Sequence, residues 1–356
     1  MGASLHVLFL LFGAFSILSQ TVILREYLVA YGGNEIALGL FFSTWLLWVG
    51  AGALIAGRVV RRLTAERAFL IAALAYAVTP LLQTTLIRSM RLLAGVPAME
   101  TFPFDRLAAV TLATNMPLSL LTGALFTMGA TIAARRTGAE RAVTRVYLLE
   151  ALGGFAGGAA ATLLAHLLVK PVPILLGACA VLSTGVLAAA LPGRKRTAAA
   201  AGALALAAAA ALLTPLGASM ERALLDRRWK ATLPEAELLE SLDTPYRNVA
   251  LARLGEQSVL LFDGRVAAAF PAVQDPVQDA ALIMSESRGA RRVLLVGTAP
   301  GLIGELLEYP VEEIVLVEPD ALMMERLRGF LPEPDRAALE DPRVEIEHMD
   351  PRSYVE

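Results

Sequence analysis

The strongest constraint on this chain is a change of solvent partway along it. Residues 1 to about 217 form a succession of long apolar stretches, whereas 218–356 read as a soluble α/β segment. A helix needs roughly 20 apolar residues, and no fewer than about 17, to cross a hydrocarbon core about 30 Å thick. Seven stretches qualify: about 5–29, 36–57, 68–87, 107–134, 146–169, 172–191 and 198–217. No basic residue precedes the first and no small-residue pattern ends it, so it reads as a span and not as a cleaved leader. The fold class expected is a multi-pass α-helical membrane domain joined to an α/β domain. The lipid bilayer is the first partner implied.

Composition removes other classes. A net charge of -2 offers nothing to a nucleic-acid backbone, so no nucleic-acid partner is expected. The single cysteine, Cys179, lies inside an apolar stretch, which leaves no disulfide framework and no cysteine-based metal site. No metal is expected.

Loop charge sets an orientation. Arg58, Arg61, Arg62 and Arg67 follow the second stretch, Arg135, Arg136, Arg141 and Arg145 the fourth, and Arg194, Lys195 and Arg196 the sixth. The alternate loops are poorer. Residues 30–35 carry no Lys or Arg, and 88–106 offset three Arg with Glu100 and Asp105. Positive charge stays cytoplasmic, which puts the N-terminus inside a cell (inner) membrane. Seven crossings would then carry the C-terminal domain outside, away from activated nucleotide. A cytoplasmic C-terminal domain requires the alanine-rich 198–217 stretch to be re-entrant or interfacial, or another crossing to be miscounted.

Polar groups at membrane depth are site candidates because they are costly to bury there. Gln20, Arg25 and Glu26 fall in the first stretch, Asn115 in the fourth and Glu150 in the fifth; the acids Glu26 and Glu150 stand out. Arg25 and Glu26 lie near a span end, where snorkelling or mutual pairing accounts for them. His166 lies in an apolar stretch and reads as packing. Gly153, Gly154, Gly157 and Gly158 form two overlapping small-xxx-small pairs, suited to close packing within the bundle or to a homodimer face.

Four regions follow: a transmembrane domain at 1–217, an amphipathic linker at 218–242, a small β subdomain at 243–273, and a partial nucleoside-binding domain at 274–356. In the linker Met220, Leu224, Leu225 and Trp229 alternate with charges, which suits a membrane-surface helix or a plain connecting one. Strands are expected at 248–253, 258–262 and 265–270, the last two joined by Asp263-Gly264, a tight-hairpin pair. A helix at 275–287 leads to Val293-Leu-Leu-Val-Gly297-Thr-Ala-Pro-Gly301, a strand closing on a glycine loop that opens a helix at 301–308. The next strand, 314–317, ends at Glu318-Pro-Asp320. Glu318 stands 21 residues after Gly297, where an acid takes ribose hydroxyls in this architecture. Ala299 occupies the second glycine position of the dinucleotide fingerprint, which argues against NAD or FAD.

These residues resemble the spermidine synthase (polyamine aminopropyltransferase) family. The likeness rests on Thr244-Pro-Tyr246-Arg-Asn-Val, the hairpins, Val293–Gly301, Val315–Asp320, Leu331-Pro and Asp341-Pro-Arg-Val344 leading to Asp350. The membrane half is similar to that of fused transporter-like/spermidine synthase proteins, through Gly50–Arg62, Met128-Gly-Ala-Thr131 and Tyr147–Gly158. The resemblance implies a Rossmann-like domain of the S-adenosylmethionine methyltransferase kind behind a small β-hairpin subdomain. It implies a polyamine-biosynthesis transferase that takes decarboxylated S-adenosylmethionine as co-substrate, without a bound cofactor, and moves its aminopropyl group to a diamine such as putrescine. On this reading Gly297, Thr298, Ala299 and Gly301 cradle the nucleoside, and Glu318 takes the ribose. Asp320 also belongs to the nucleotide site, Asp350 meets the adenine amino group, and Tyr246 lies near the substrate.

The departures are specific. The family's glycine loop is Gly-Gly-Gly-Asp-Gly, and here Thr298, Ala299 and Pro300 interrupt it. The family's Tyr-His-Glu run is replaced near Val277-Gln278-Asp279. Its Asp-Ser-Ser-Asp segment would lie beyond Glu356, so no catalytic residue is assigned. With strand order 3-2-1-4-5 expected, strand 293–297 would be left as an open apolar edge, and a truncated protein, inactive by itself, is the expectation. Three readings follow. One is a membrane-anchored aminopropyltransferase. Another is a nucleoside-binding pseudoenzyme or other S-adenosyl-nucleotide transferase, which Pro300 favours. The last is a transporter-like protein with a polyamine-handling domain, which Glu150 or Glu26 in a central cavity would favour.

Overall fold

Apolar length dictates the first half. The computed structural model describes residues 3–59, 65–137, 139–271, 274–287 and 289–356. Arg61 and Arg62 of the first basic loop lie outside them. The chain divides into two compact units, Met1–Pro234 and Glu235–Glu356. Seven helices of the first are long and apolar enough to cross a membrane: α1 (Ala3–Tyr31), α2 (Glu35–Val59), α3 (Ala65–Arg88), α5 (Phe104–Thr137), α6 (Ala139–His166), α7 (Pro171–Ala190) and α8 (Lys195–Leu213). A single turn, α4 (Met90–Leu93), lies between α3 and α5, and α9 (Pro215–Thr232) closes the unit.

In lipid the hydrophobic effect does not drive helices together, so close packing has to. The glycines supply it. A Cβ on Gly153 or Gly157 would collide with the carbonyl of Leu10 or Ala14, and one on Gly13 with that of Glu150. The small-residue face of α6 is therefore spent on α1 within the chain. Gly52 and Gly123 bring α2 and α5 together in the same way. Phe9 and Phe12 pack edge-on against Phe69 at 5.7 and 5.2 Å. Phe155 and Leu206 stay 81% and 73% exposed, an apolar outer surface consistent with membrane association.

Two sequence expectations change here. The 198–217 stretch is a continuous helix only to Leu213, where Thr214-Pro215 restarts the chain as α9. With 19 residues it is among the seven helices long and apolar enough to cross a membrane. Arg194 pairs with Glu66 at 2.8 Å at one end, joining two of the arginine-bearing connections. His166 does not pack: it ends α6, exposed.

The second unit begins earlier than expected. Strand β1 (Glu237–Asp243) occupies the tail of the segment read as linker and pairs antiparallel with β2 (Asn248–Leu254). Its acids at 237, 240 and 243 hid any alternation, and a register shift between Leu238 and Glu240 breaks the period of two. β3 (Gln257–Phe262) and β4 (Arg265–Phe270) complete a four-stranded meander. Asp263 and Gly264 both take positive φ, 47° and 80°, as the two-residue hairpin demands. After α10 (Gln274–Glu286), β5 (Arg292–Val296), β6 (Glu313–Val317) and β7 (Val344–Glu347) form a parallel sheet in that order. Helices α11 (Leu302–Leu307), α12 (Ala321–Arg328), α13 (Glu333–Ala338) and α14 (Pro351–Val355) connect or follow these strands. Ile303, Leu306, Ile314, Leu316, Met323 and Leu327 form part of their buried core.

Candidate functional sites

The glycine loop leaves the carboxyl end of β5 and is pinned to β6 by a hydrogen bond from Gly297 N to Val317 O, 3.0 Å. Gly297 and Gly301 take φ of 86° and 85°, a region that side chains disfavour, so these glycines are required by the turn. Pro300 between them has no N–H to give a ligand. Thr298, Ala299, Pro300 and Gly301 line a small cleft with Leu316, Met324, Leu327, Leu331 and Asp335. Burial raises the Asp335 carboxyl above its ordinary range. Asp335 carried no signal in the sequence beyond a short acidic helix start.

Glu318 follows β6 directly and is fully buried. Its carboxylate accepts from Thr298 Oγ1 at 3.0 Å and Asp320 N at 3.1 Å, and Arg247 Nη2 lies 3.5 Å away. Its backbone is held as well: Glu318 N donates to Glu347 O, and His348 Nδ1 lies 2.8 Å from the Glu318 carbonyl. Glu318 thus meets the loop through Thr298 but does not line the cleft. A ligand reaching its carboxylate must displace Thr298 or Arg247.

Asp320 has both oxygens engaged, accepting from Met323 N at 3.1 Å as the N-cap of α12 and from Thr244 Oγ1 at 2.6 Å. That bond ties the Thr244–Arg247 turn to the end of β6. Tyr246 in the same turn is 59% exposed, and Arg247 lies over the Phe262 ring. Asp350 is exposed and caps α14, accepting from Arg352 N at 2.8 Å. The structure therefore joins Thr298, Glu318, Asp320 and the 244–247 turn, and leaves Asp350 outside that bonded group. Arg247 was missed because nothing in sequence links it to Glu318, 71 residues on.

The helical unit holds a second constellation. Glu26 receives two hydrogen bonds from Arg88, both 2.7 Å, and one from Arg228 at 3.0 Å. Arg88 Nη1 also lies 2.7 Å from Glu221 Oε1, an ion pair without hydrogen-bond alignment. Glu221 Oε2 accepts from Val172 N at 2.8 Å, capping the start of α7. All four charged residues are 5% exposed or less. The charges of α9 are accordingly on its packed face and not only on its outer one. Glu150 stands apart, half-buried, within electrostatic reach of the Tyr76 hydroxyl.

No protein-family profile matches the chain. A polyamine aminopropyltransferase of Korarchaeum cryptofilum is 38% identical over 66 residues, which is 18% of this chain and 21% of that protein. The chain spans about a fifth of the length of this curated relative.

Proposed function

We propose that the C-terminal unit is a Rossmann-like nucleoside-binding domain of the aminopropyltransferase kind, carried on a seven-helix membrane domain. The observation that carries it is the Gly297–Gly301 loop closed onto Glu318 by Thr298, at adjacent parallel strand ends. The partial likeness to a polyamine aminopropyltransferase supports the same reading.

The reaction is an SN2 attack by a neutral amine of a diamine on the carbon beside a sulfonium. The new C–N bond forms as the C–S bond breaks, methylthioadenosine leaves, and the ammonium product passes a proton to a base. Alignment of amine and sulfonium supplies most of the acceleration such a site can give. Glu318, on displacing Arg247 or Thr298, would take the ribose hydroxyls, with Gly297 and Gly301 letting the nucleoside approach the backbone. Glu318 and Asp320 have their oxygens engaged, so neither is assigned as base.

One observation favours a second reading, in which the domain binds a nucleoside or polyamine without catalysis. If all seven long apolar helices cross and the basic loops are cytoplasmic, the end bearing α9 would lie outside the cell. Reporter fusions at Arg141 and after Glu356 decide between them. Glu356 on the cytoplasmic side supports the enzyme, and an external Glu356 with an internal Arg141 supports the binding domain. The activity itself is tested by incubating the full-length gene product with decarboxylated S-adenosylmethionine and putrescine and following methylthioadenosine. Tight nucleoside binding without turnover would leave only the binding reading.

A further inference from the structure

The interior of the helical unit holds polar atoms that the reading above does not use. Hydroxyls in spanning helices commonly bond the carbonyl one turn back, and Thr44, Thr79, Thr85, Thr114 and Thr122 do so here. Ser19, Thr84 and Ser119 do not. Their hydroxyl oxygens are buried and meet no hydrogen-bond partner among the described residues, and Gln83 Oε1 is in the same position. The orientation of Gln83 is fixed by its neighbours. Asn115 Nδ2 donates to the Phe41 carbonyl at 2.8 Å, which leaves Asn115 Oδ1 to accept from Gln83 Nε2 at 2.9 Å. Gln83 Oε1 is therefore an acceptor without a donor.

Register places these atoms close in height. Tyr76 meets Thr122 at 3.0 Å and Gln83 meets Asn115, fixing α3 against α5. The Phe15 and Tyr76 rings, 5.0 Å apart, and the Glu26–Arg88 pair fix α1 against α3. Ser19 and Ser119 then stand level with Pro80, about 5 Å, or one turn, from the level of Gln83 and Thr84. Pro80 lies inside α3 and has no N–H, so the Tyr76 carbonyl lacks its usual helical donor. Beyond Tyr76 lies Glu150, which forms no ion pair among the described residues. Buried polar atoms ordinarily find a protein, water or ion partner, and an intramembrane acid marks a site. Here acceptors outnumber donors, and oxygen-rich settings of this kind suit cations.

We propose that the seam between α1, α3 and α5 binds one compact monovalent cation, an alkali ion or a primary ammonium group. Gln83 Oε1 and the hydroxyls of Ser19, Thr84 and Ser119 hold it, and Glu150, whose backbone lies against Gly13 about 9 Å along α1 from Ser19, supplies countercharge at a distance and not as a ligand. The site belongs to the helical unit alone and stands whether or not the C-terminal unit binds a nucleoside.

The test uses the full chain in lipid nanodiscs in choline chloride, titrated calorimetrically with sodium, potassium and, separately, putrescine. Saturable binding is expected for at least one. A response to sodium or potassium alone identifies an inorganic ion, and a response to putrescine alone identifies an ammonium group. Gln83→Met, which keeps the approximate length and removes the carbonyl acceptor, should weaken binding about tenfold. Ser119→Ala and Glu150→Gln should weaken it by about tenfold, with helical circular dichroism unchanged to show that the bundle is intact. Absence of saturable binding by the folded wild type, or affinities unaltered across all three variants, overturns the proposal and leaves the seam to water.

Discussion

Glu26 in the helical unit and Glu318 in the C-terminal unit are both buried acids, 3% and 0% exposed, but they are satisfied by different means. Glu26 has two arginines, reaching it from 62 and 202 residues away along the chain. Glu318 has a threonine hydroxyl, a backbone N–H two residues on, and one arginine at 3.5 Å. A carboxylate at membrane depth needs full charge pairing, and the pairing ties α1, α3 and α9 into one body. A carboxylate held mainly by neutral donors can exchange them for the hydroxyls of a ligand. On the proposed reading, the first acid is built to stay and the second is the one a ligand's hydroxyls would reach.

The sharpest way to break this contrast is Arg88→Met, which leaves both Glu26 and Glu221 short of their shared cation. Removing one partner of a buried pair costs about 3–5 kcal/mol. Thermal unfolding in nanodiscs should show a loss of that size, and a change under about 1 kcal/mol would reduce the quartet to weakly coupled surface-like pairs. Glu318→Ala should cost less, about 1.5–3 kcal/mol for hydrogen bonds to a charged group, read on the unfolding of the second unit. A larger loss there than for Arg88→Met would reverse the comparison.

How much of this was legible differs between the units. The number of long apolar helices followed from apolar length alone, and the Asp263-Gly264 turn from the left-handed backbone it must adopt. The close packing of Gly153 and Gly157 was readable as small-residue spacing, but α1 as their partner was not, because a glycine face names no neighbour. The ion quartet was hidden for the same reason: Arg228 and Glu221 sit in an amphipathic stretch whose charges look solvent-facing until the packed face is known. Glu318 was singled out by its place after a strand. Its partners Arg247 and Thr298 are distant in sequence, and no local pattern announces them. Strand β1 escaped because its charged residues conceal a half-buried strand.

Smaller effects sharpen the picture. Gly157→Val drives a side chain into the Ala14 carbonyl and should cost about 1–3 kcal/mol through overpacking, while a matched substitution at Gly39, whose surroundings are open, should leave packing contacts unchanged. Smallest of all is Asp335→Asn. Burial raises this carboxyl, so its protonated form favours the folded state. The stabilising term is present below the carboxyl's unfolded value and is lost as pH rises through the folded one. The asparagine variant should therefore be slightly the more stable at neutral pH and lose that advantage in acid. Unfolding midpoints at two pH values check it, and an advantage that grows in acid would refute the sign.

The central claim is that Glu318 and the Gly297–Gly301 loop form a nucleoside site, and calorimetry tests it most directly. The full chain in nanodiscs is titrated with decarboxylated S-adenosylmethionine and with methylthioadenosine, alongside Glu318→Gln. The account predicts saturable one-to-one binding that weakens about tenfold when the charged acceptor becomes neutral. No binding by the folded wild type, or equal affinity in the variant, would contradict it.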